Sequence, residues 1–230
     1  WVPGTTNSYH AMTYGFLAGE LVRRASGKRI GRFVADEIAT PLGADLFIGL
    51  PESEEHRVAP LIPSPVQRSL QVADPAQVPR EALAAVTNPD MNPALPNTRA
   101  WRAAEIPAGN GHATAVGLAK LYGALANGGT LGDTRLIGQA AIDRLIELQT
   151  DRVDILLGQP AFWRNGLAGN VGQMYGPWAD SVGHSGWGGS FGMMNIGHGL
   201  AVGYTVKQMG SETIGDPRAT ALCHAICSCL

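Results

Sequence analysis

Three things are scarce in this chain: runs of lysine and arginine, long apolar stretches, and cysteine. With a formal net charge of −2 and no basic run, nucleic acid or an anionic membrane is excluded as the main partner. No apolar stretch approaches the ~18 residues a bilayer span requires, so no membrane crossing is expected. The three cysteines, Cys223, Cys227 and Cys229, lie together near the C-terminus with His224 among them. A disulfide framework would need an even count spread through the chain, and a structural metal site would need four ligands with tetrahedral reach. The spacing of Cys223 and Cys227 instead puts both on one helical face, as small buried residues of a terminal helix. A metal at this cluster is not expected. The chain opens Trp1-Val2-Pro3-Gly4, without a methionine or the charged-then-apolar pattern of a secretory signal. It is therefore expected to be cut or processed at that end, and its compartment is not legible.

What is present is an ordinary globular composition. The chain has 230 residues, 45% apolar and 16% charged, enough for one large domain or two small ones, with no internal repeat. Residues 11–26 read as a helix, with Leu17, Leu21 and Val22 at helical spacing and Gly27 as its stop. A second amphipathic helix follows through Ile30, Phe33, Val34 and Ile38, ended by Pro41. Ten of the fifteen prolines lie in residues 51–107, where Pro63-Ser64-Pro65, Asn88-Pro89 and Asn92-Pro93 mark turns and a helical signal at 80–86 is short. So long a stretch with little regular structure reads as a segment wrapping or covering something.

From Ala113 the helical period returns through Leu118, Leu121, Tyr122 and Leu125, with Thr114 as N-cap and Asn127-Gly128-Gly129 as the end. Another helix is expected at 140–148. From Phe162 onward short apolar runs broken by glycine predict antiparallel strands, the best hairpin pairing 193–196 with 200–206 across Gly197-His198-Gly199. A terminal helix starts near Pro217. Helices, then consecutive strands, then a helix define an α+β, or layered α/β, arrangement.

The stretch Gly183-His184-Ser185-Gly186-Trp187-Gly188-Gly189-Ser190 stands out. Its glycines remove Cβ atoms where a backbone must approach another backbone or a ligand, and His184, Ser185 and Trp187 set polar and aromatic groups beside them. A pocket-lining strand edge and a plain glycine-rich turn both fit this composition.

Successive landmarks decide between them: Pro3-Gly4-Thr5 through Tyr9-His10-Ala11, Tyr14-Gly15-Phe16-Leu17, Gly27, Pro41-Leu42-Gly43, Pro107 through His112, Leu125 through Gly129, and Gly183 through Ser190. In order and spacing the chain resembles the serine-reactive β-lactamase-fold hydrolases, which include class C β-lactamases, D-stereospecific peptidases and esterases of the same fold. The resemblance covers nearly the whole chain. It implies a β-lactamase-like antiparallel sheet flanked by helices plus a mostly helical region, with residues 1–150 holding the helical part and 151–230 the strands and C-terminal helix of an incomplete domain.

The family builds its site from a Ser-x-x-Lys nucleophile, a tyrosine motif and a Lys/His-Thr/Ser-Gly strand. Tyr9 matches the second, with Ala11 where asparagine is common. His184-Ser185-Gly186 matches the third, with histidine in place of the lactamase lysine. None of the ten serines has a lysine three residues on, so the resemblance implies that the nucleophile lies upstream of Trp1, and that this missing segment of the same protein is the chain's partner. Tyr9 is then the proton acceptor and the Trp187 backbone N–H an oxyanion donor, while His184, Ser185 and Gly186 bind the substrate. The implied reaction is hydrolysis of a small-molecule ester or related acyl bond, without cofactor. Esterase is preferred over β-lactamase because histidine lacks lysine's permanent cation. A non-catalytic binding relative is the alternative.

A rival reading comes from Gly188-Gly189-Ser190-Phe191-Gly192, a Gly-x-Ser-x-Gly nucleophile elbow with Asp216 and His224 following in hydrolase order. An elbow needs a strand before the serine and a helix directly after it, whereas a hairpin is expected here. Trp101, Trp163, Trp178 and Trp187 are candidates to line an acyl pocket.

Overall fold

The computed structural model describes residues 1–66, 78–88, 92–212 and 214–230. The first helix, α1 (Thr13–Ser26), stops at Gly27, which takes a left-handed φ of 73° and donates its N–H to the Arg23 carbonyl. Its packing differs from expectation. Leu17 and Leu21 are 60% and 69% exposed, because α1 docks through its small residues: Gly15 sits against Ala108, and Gly19 against Ile30 and Pro107. A glycine face lets the backbones approach and leaves the leucines pointing away.

The second helical stretch runs as α2 (Ile30–Val34), a π-helical turn over Ala35–Ala39, and α3 (Thr40–Leu42). The stretch ends at Pro41-Leu42, as expected. The proline lies in the last turn of this continuous stretch, which runs one residue further to Leu42 before the chain leaves the helix at Gly43, with a left-handed φ of 55°. Next, β1 (Leu46–Ile48) pairs antiparallel with the later β2 (Gly111–Ala113). Between them lie a 3-10 helix at Glu52–Arg57, α4 (Arg80–Thr87) and α5 (Arg99–Ala103). The Asn88-Pro89 turn falls partly outside the described residues. The stretch is tied back to the rest of the chain at Ile62, whose N–H donates to the Lys207 carbonyl and whose carbonyl accepts from Met209 N–H.

Thr114 caps α6 (Ala115–Ala126) as expected, its hydroxyl accepting from Gly117 N–H at 3.0 Å. A two-residue-strand hairpin, β3 (Thr130–Leu131) and β4 (Thr134–Arg135), leads to α7 (Gln139–Leu145). That helix is shorter than residues 140–148: Ile142 is buried at its centre, while Leu148 lies beyond it and is exposed.

The main sheet is antiparallel with order β5 (Ala168–Gly169), β6 (Val182–Ser185), β7 (Phe191–Asn195) and β8 (Leu200–Tyr204). The expected hairpin is β7–β8, with Met193 opposite Val202 and Asn195 opposite Leu200. Every residue of β7 is buried, as a central strand covered on both faces requires. Its alternating side chains split the core in two. Phe191 and Met193 join Tyr175, Val202, Ala219 and Cys223 on the face covered by α8 (Pro217–Cys227). Met194 joins Tyr122, Ala126, Leu167 and Val182 on the face covered by α6. Gly203 permits this closeness, since a Cβ there would stand 2.5 Å from the Ala115 carbonyl oxygen. Helix, sheet and helix therefore form the expected layered α/β unit of a β-lactamase-like fold. Cys223 and Cys227 are buried on the inner side of α8, and burial pushes the Cys223 thiol up to about 12.

Candidate active site

The N-terminal stretch reaches the site through one buried carboxylate. Asp154 is fully buried and accepts from Leu156 N–H at 3.0 Å, Leu157 N–H at 3.1 Å, Asn7 Nδ2 at 3.3 Å and Trp163 Nε1 at 3.4 Å. Asn7 and Asp154 also form a parallel bridge, and Ile155 N–H donates to the Asn7 carbonyl. A buried charge is tolerable only when so fully hydrogen-bonded. Here it holds residues 7–9 beside the 154–163 segment.

Tyr9 consequently stacks on Trp163, ring centroids 5.6 Å apart and planes 5° apart. His184, from β6, closes the group at 6.4 Å from Tyr9 and 6.1 Å from Trp163. The first cause acting on Tyr9 is burial and the second the nearby Asp154 charge; both push its phenol above the ordinary value. Burial pulls His184 below the ordinary imidazole value, against the smaller opposing effect of its bond to the Ser185 carbonyl. That bond, 3.0 Å from Nδ1, assigns the proton to Nδ1, since a carbonyl can only accept. Nε2 is left as an acceptor.

Ser185 Oγ lies 3.2 Å from the Tyr175 hydroxyl and 3.8 Å from Met174 Sδ. Tyr175 is itself set by Asn170, whose Oδ1 accepts from Tyr175 N–H at 2.7 Å and whose Nδ2 donates to the Gly176 and Trp178 carbonyls. After β6 the chain turns: Gly189 N–H donates to the Gly186 carbonyl at 3.1 Å, with Trp187 and Gly188 at the two corners. Gly188 has a φ of 93°, as the second corner of a type II turn requires. Such a turn uses only the N–H of its fourth residue, so the Trp187 N–H is not consumed by closing it.

Tyr9, Trp163, Tyr175, His184 and Ser185 line one pocket of about 30 Å³, room for a water or two. Gly186 and Trp187 follow in the chain but do not line it. Of the four tryptophans, Trp163 alone does; Trp178 stacks instead on His198 at 3.6 Å. Sequence reasoning missed Asp154, Tyr175 and Asn170. A lone acid in the apolar run Val153 to Leu157 was a signal for the first; the other two carry none.

The elbow reading is overturned. Ser190 is followed by strand β7, not by a helix, and its hydroxyl accepts from Val206 N–H at 3.1 Å. Asp216 caps α8 and pairs with Arg218, and His224 Nε2 bonds the Gln173 carbonyl. Among the described residues no helix is long and apolar enough to cross a membrane, and no group of three or more His, Cys, Asp or Glu is placed to hold a metal.

An antiparallel sheet with helices on both faces is the layered arrangement of β-lactamase-like proteins. The chain belongs to the beta-lactamase family, whose model it matches over residues 1–224. It is 32% identical over 212 residues to the esterase/beta-lactamase LipL of Mycobacterium tuberculosis, a match covering 87% of this chain and 48% of LipL. Among solved structures it is similar to a family VIII carboxylesterase, at 42% identity and a TM-score of 0.90, covering 100% of this chain and 60% of that one. A penicillin-binding protein homologue from Caulobacter crescentus gives 38% identity and a TM-score of 0.87, covering 99% and 60%. The chain thus spans three-fifths or less of the length of these relatives.

Proposed function

We propose that this chain contributes the tyrosine and histidine-strand portions of a serine esterase that works through an acyl-enzyme. The observation that carries the reading is the convergence of Tyr9, His184 and Ser185 on one pocket from segments 175 residues apart in the chain. Tyr9 is the base that takes the serine proton, Trp187 N–H faces the developing oxyanion, and His184, Ser185 and Gly186 orient the substrate acyl group. The nucleophilic serine and its lysine come from a segment preceding Trp1. Burial and Asp154 raise the Tyr9 phenol, so a base role needs a cation close by, and the lysine of that segment supplies it. The greater length of the relatives and the exposed Tyr14, Leu17 and Leu21 on α1 are consistent with further chain packing there. On the same reading the described part of residues 51–107 covers the site, with Val78 and Ala82 packing beside Tyr9, while 67–77 and 89–91 lie outside the described residues. The 1–150 and 151–230 portions then form one incomplete domain.

Esterase is preferred to β-lactamase because His184, kept neutral by burial with an acceptor at Nε2, offers no cation to a lactam carboxylate. The name of the mycobacterial relative keeps lactam hydrolysis as a second reading. Turnover of a short-chain aryl ester and of a cephalosporin by the full-length polypeptide separates them. Rapid ester turnover with slow lactam turnover is expected; the reverse ranking sinks the preference, and no turnover of either favours a binding relative.

A further inference from the structure

The pair formed by Asp216 and Arg218 lies behind the Trp187 turn. Asp216 is the N-cap of α8 and accepts from Arg218 N–H at 2.8 Å. Its carboxylate, 1% exposed, takes a two-pronged grip from Arg218, Nε to Oδ1 at 3.0 Å and Nη2 to Oδ2 at 2.7 Å. Capping alone needs no guanidinium, since a serine or a lone aspartate suffices. The remaining contacts of Arg218 go to main chain near the site: Nη1 donates to the Gln208 carbonyl at 3.0 Å, and Nη2 approaches the Gly188 carbonyl at 3.4 Å. The Gly188 carbonyl also accepts from Gly210 N–H at 2.8 Å.

The carboxylate packs against the same backbone. A Cβ at Gly189 would stand 2.5 Å from Asp216 Oδ2, and one at Gly210 would collide with the same oxygen. The turn that carries Trp187 is therefore pinned at the carbonyl of its second corner and backed at its fourth residue by a buried carboxylate that Arg218 holds in place. An oxyanion donor works only if its N–H is already aimed where charge will develop, and a misplacement near 1 Å costs heavily.

We propose that Arg218, anchored by Asp216, is a positioning residue that holds the Trp187 N–H in its oxyanion-binding orientation; the inference rests on the acyl-enzyme reading above. It reaches the reacting atoms only through the turn.

The test uses the full-length polypeptide with Arg218→Lys, which keeps a cation beside Asp216 but loses the fork, and Arg218→Met, which loses both. The measurements are kcat and KM on an aryl ester, active sites counted by an acylation burst, and affinity for an aryl phosphonate that mimics the tetrahedral oxyanion. In Arg218→Lys, kcat per titrated site falls about 10- to 100-fold, KM stays within about two-fold, and phosphonate affinity drops by the same factor as kcat/KM. Wild-type kcat per site in both variants overturns the proposal, and so does a raised KM with unchanged kcat. Failure of both variants to fold also overturns it, by assigning the pair to the fold alone. Tyr9→Phe is the control for the underlying reading. If it is crippled while Arg218→Lys is normal, only the positioning role falls; if Tyr9→Phe is fully active, the acyl-enzyme reading falls first.

Discussion

Tyr9 lies flat against Trp163, and its phenol is raised first by burial and then by the same Asp154 carboxylate that accepts the Trp163 indole N–H at 3.4 Å. One buried group thus both places the candidate base and opposes its ionisation. The opposition becomes workable only when a nearby cation outweighs it, which binds the chemistry of Tyr9 to whatever packs over this face.

Asp154→Asn keeps the volume but turns one acceptor oxygen into an NH₂ group facing the donors of Asn7 and Trp163. Two buried donors lose their acceptor, and hydrogen bonds to a charged group contribute about 1.5–3 kcal/mol each. A loss of roughly 3–6 kcal/mol of stability is expected, read as a lower urea midpoint at constant m-value. A midpoint equal to wild type would show that the carboxylate is not the tie between residues 7–9 and the 154–163 segment.

How much of this could be read from the residues is uneven, for physical reasons. The sheet and its flanking helices were legible because β7 and β8 are short apolar runs joined across Gly197-His198-Gly199, because Thr114 and Pro217 mark helix starts, and because Gly27 marks a stop; these are local signals. The fate of α1 was not legible. Leucine spacing predicts a buried face, yet Gly15 and Gly19 make the contact, and a helix that docks through glycine inverts the usual rule. Tyr9 was singled out only through family likeness, since nothing local distinguishes it from an ordinary packed aromatic, whereas the His184 stretch stood out by its glycines and took only its role from the likeness. Asp154, Asn170 and Tyr175 act through partners distant in sequence or through backbone groups, which leave no periodic trace.

Gly192 in β7 faces the ring of Tyr122 on α6, with no room for a methyl group. Tyr122 is buried, and burial pushes its phenol up to about 12. Gly192→Ala must therefore displace α6 or rotate the ring, and overpacking of this kind costs about 1–3 kcal/mol. Thermal unfolding of the variant should shift down by several degrees, and Gly192→Ala combined with Tyr122→Leu should recover part of the loss. No shift in the single variant would contradict the close packing of α6 on the sheet.

His184 is held neutral by burial, so its folded pKa lies below the ordinary value of about 6.5. As pH falls through about 6.5 the unfolded chain takes up a proton that the folded chain refuses, so stability present above that pH is progressively lost as acid approaches the folded pKa. His112, also lowered mainly by burial, acts in the same direction. Melting temperatures recorded from pH 7.5 to 5 should decline, and His184→Asn should flatten the decline without abolishing it. An NMR titration of the His184 ring with a midpoint at or above the ordinary value would contradict its assignment as a neutral acceptor.

Tyr9 and Ser190 separate the two serine chemistries directly. Ser190 Oγ is engaged by Val206 N–H between β7 and the residues after β8, whereas Tyr9 faces the pocket shared with His184 and Ser185. Tyr9→Phe keeps the ring and its stacking on Trp163 but removes the proton acceptor, so acylation by the full-length polypeptide should fall by about 10²–10⁴, the usual size of a general-base contribution. Ser190→Ala should leave the acylation rate within a few-fold of wild type and cost on the order of 1 kcal/mol of stability from one lost hydrogen bond. Matching melting curves of Tyr9→Phe and wild type would confine its effect to chemistry. Undiminished acylation in a stable Tyr9→Phe protein removes tyrosine from the mechanism, and abolished activity in a stable Ser190→Ala protein restores the serine that the strand geometry argues against.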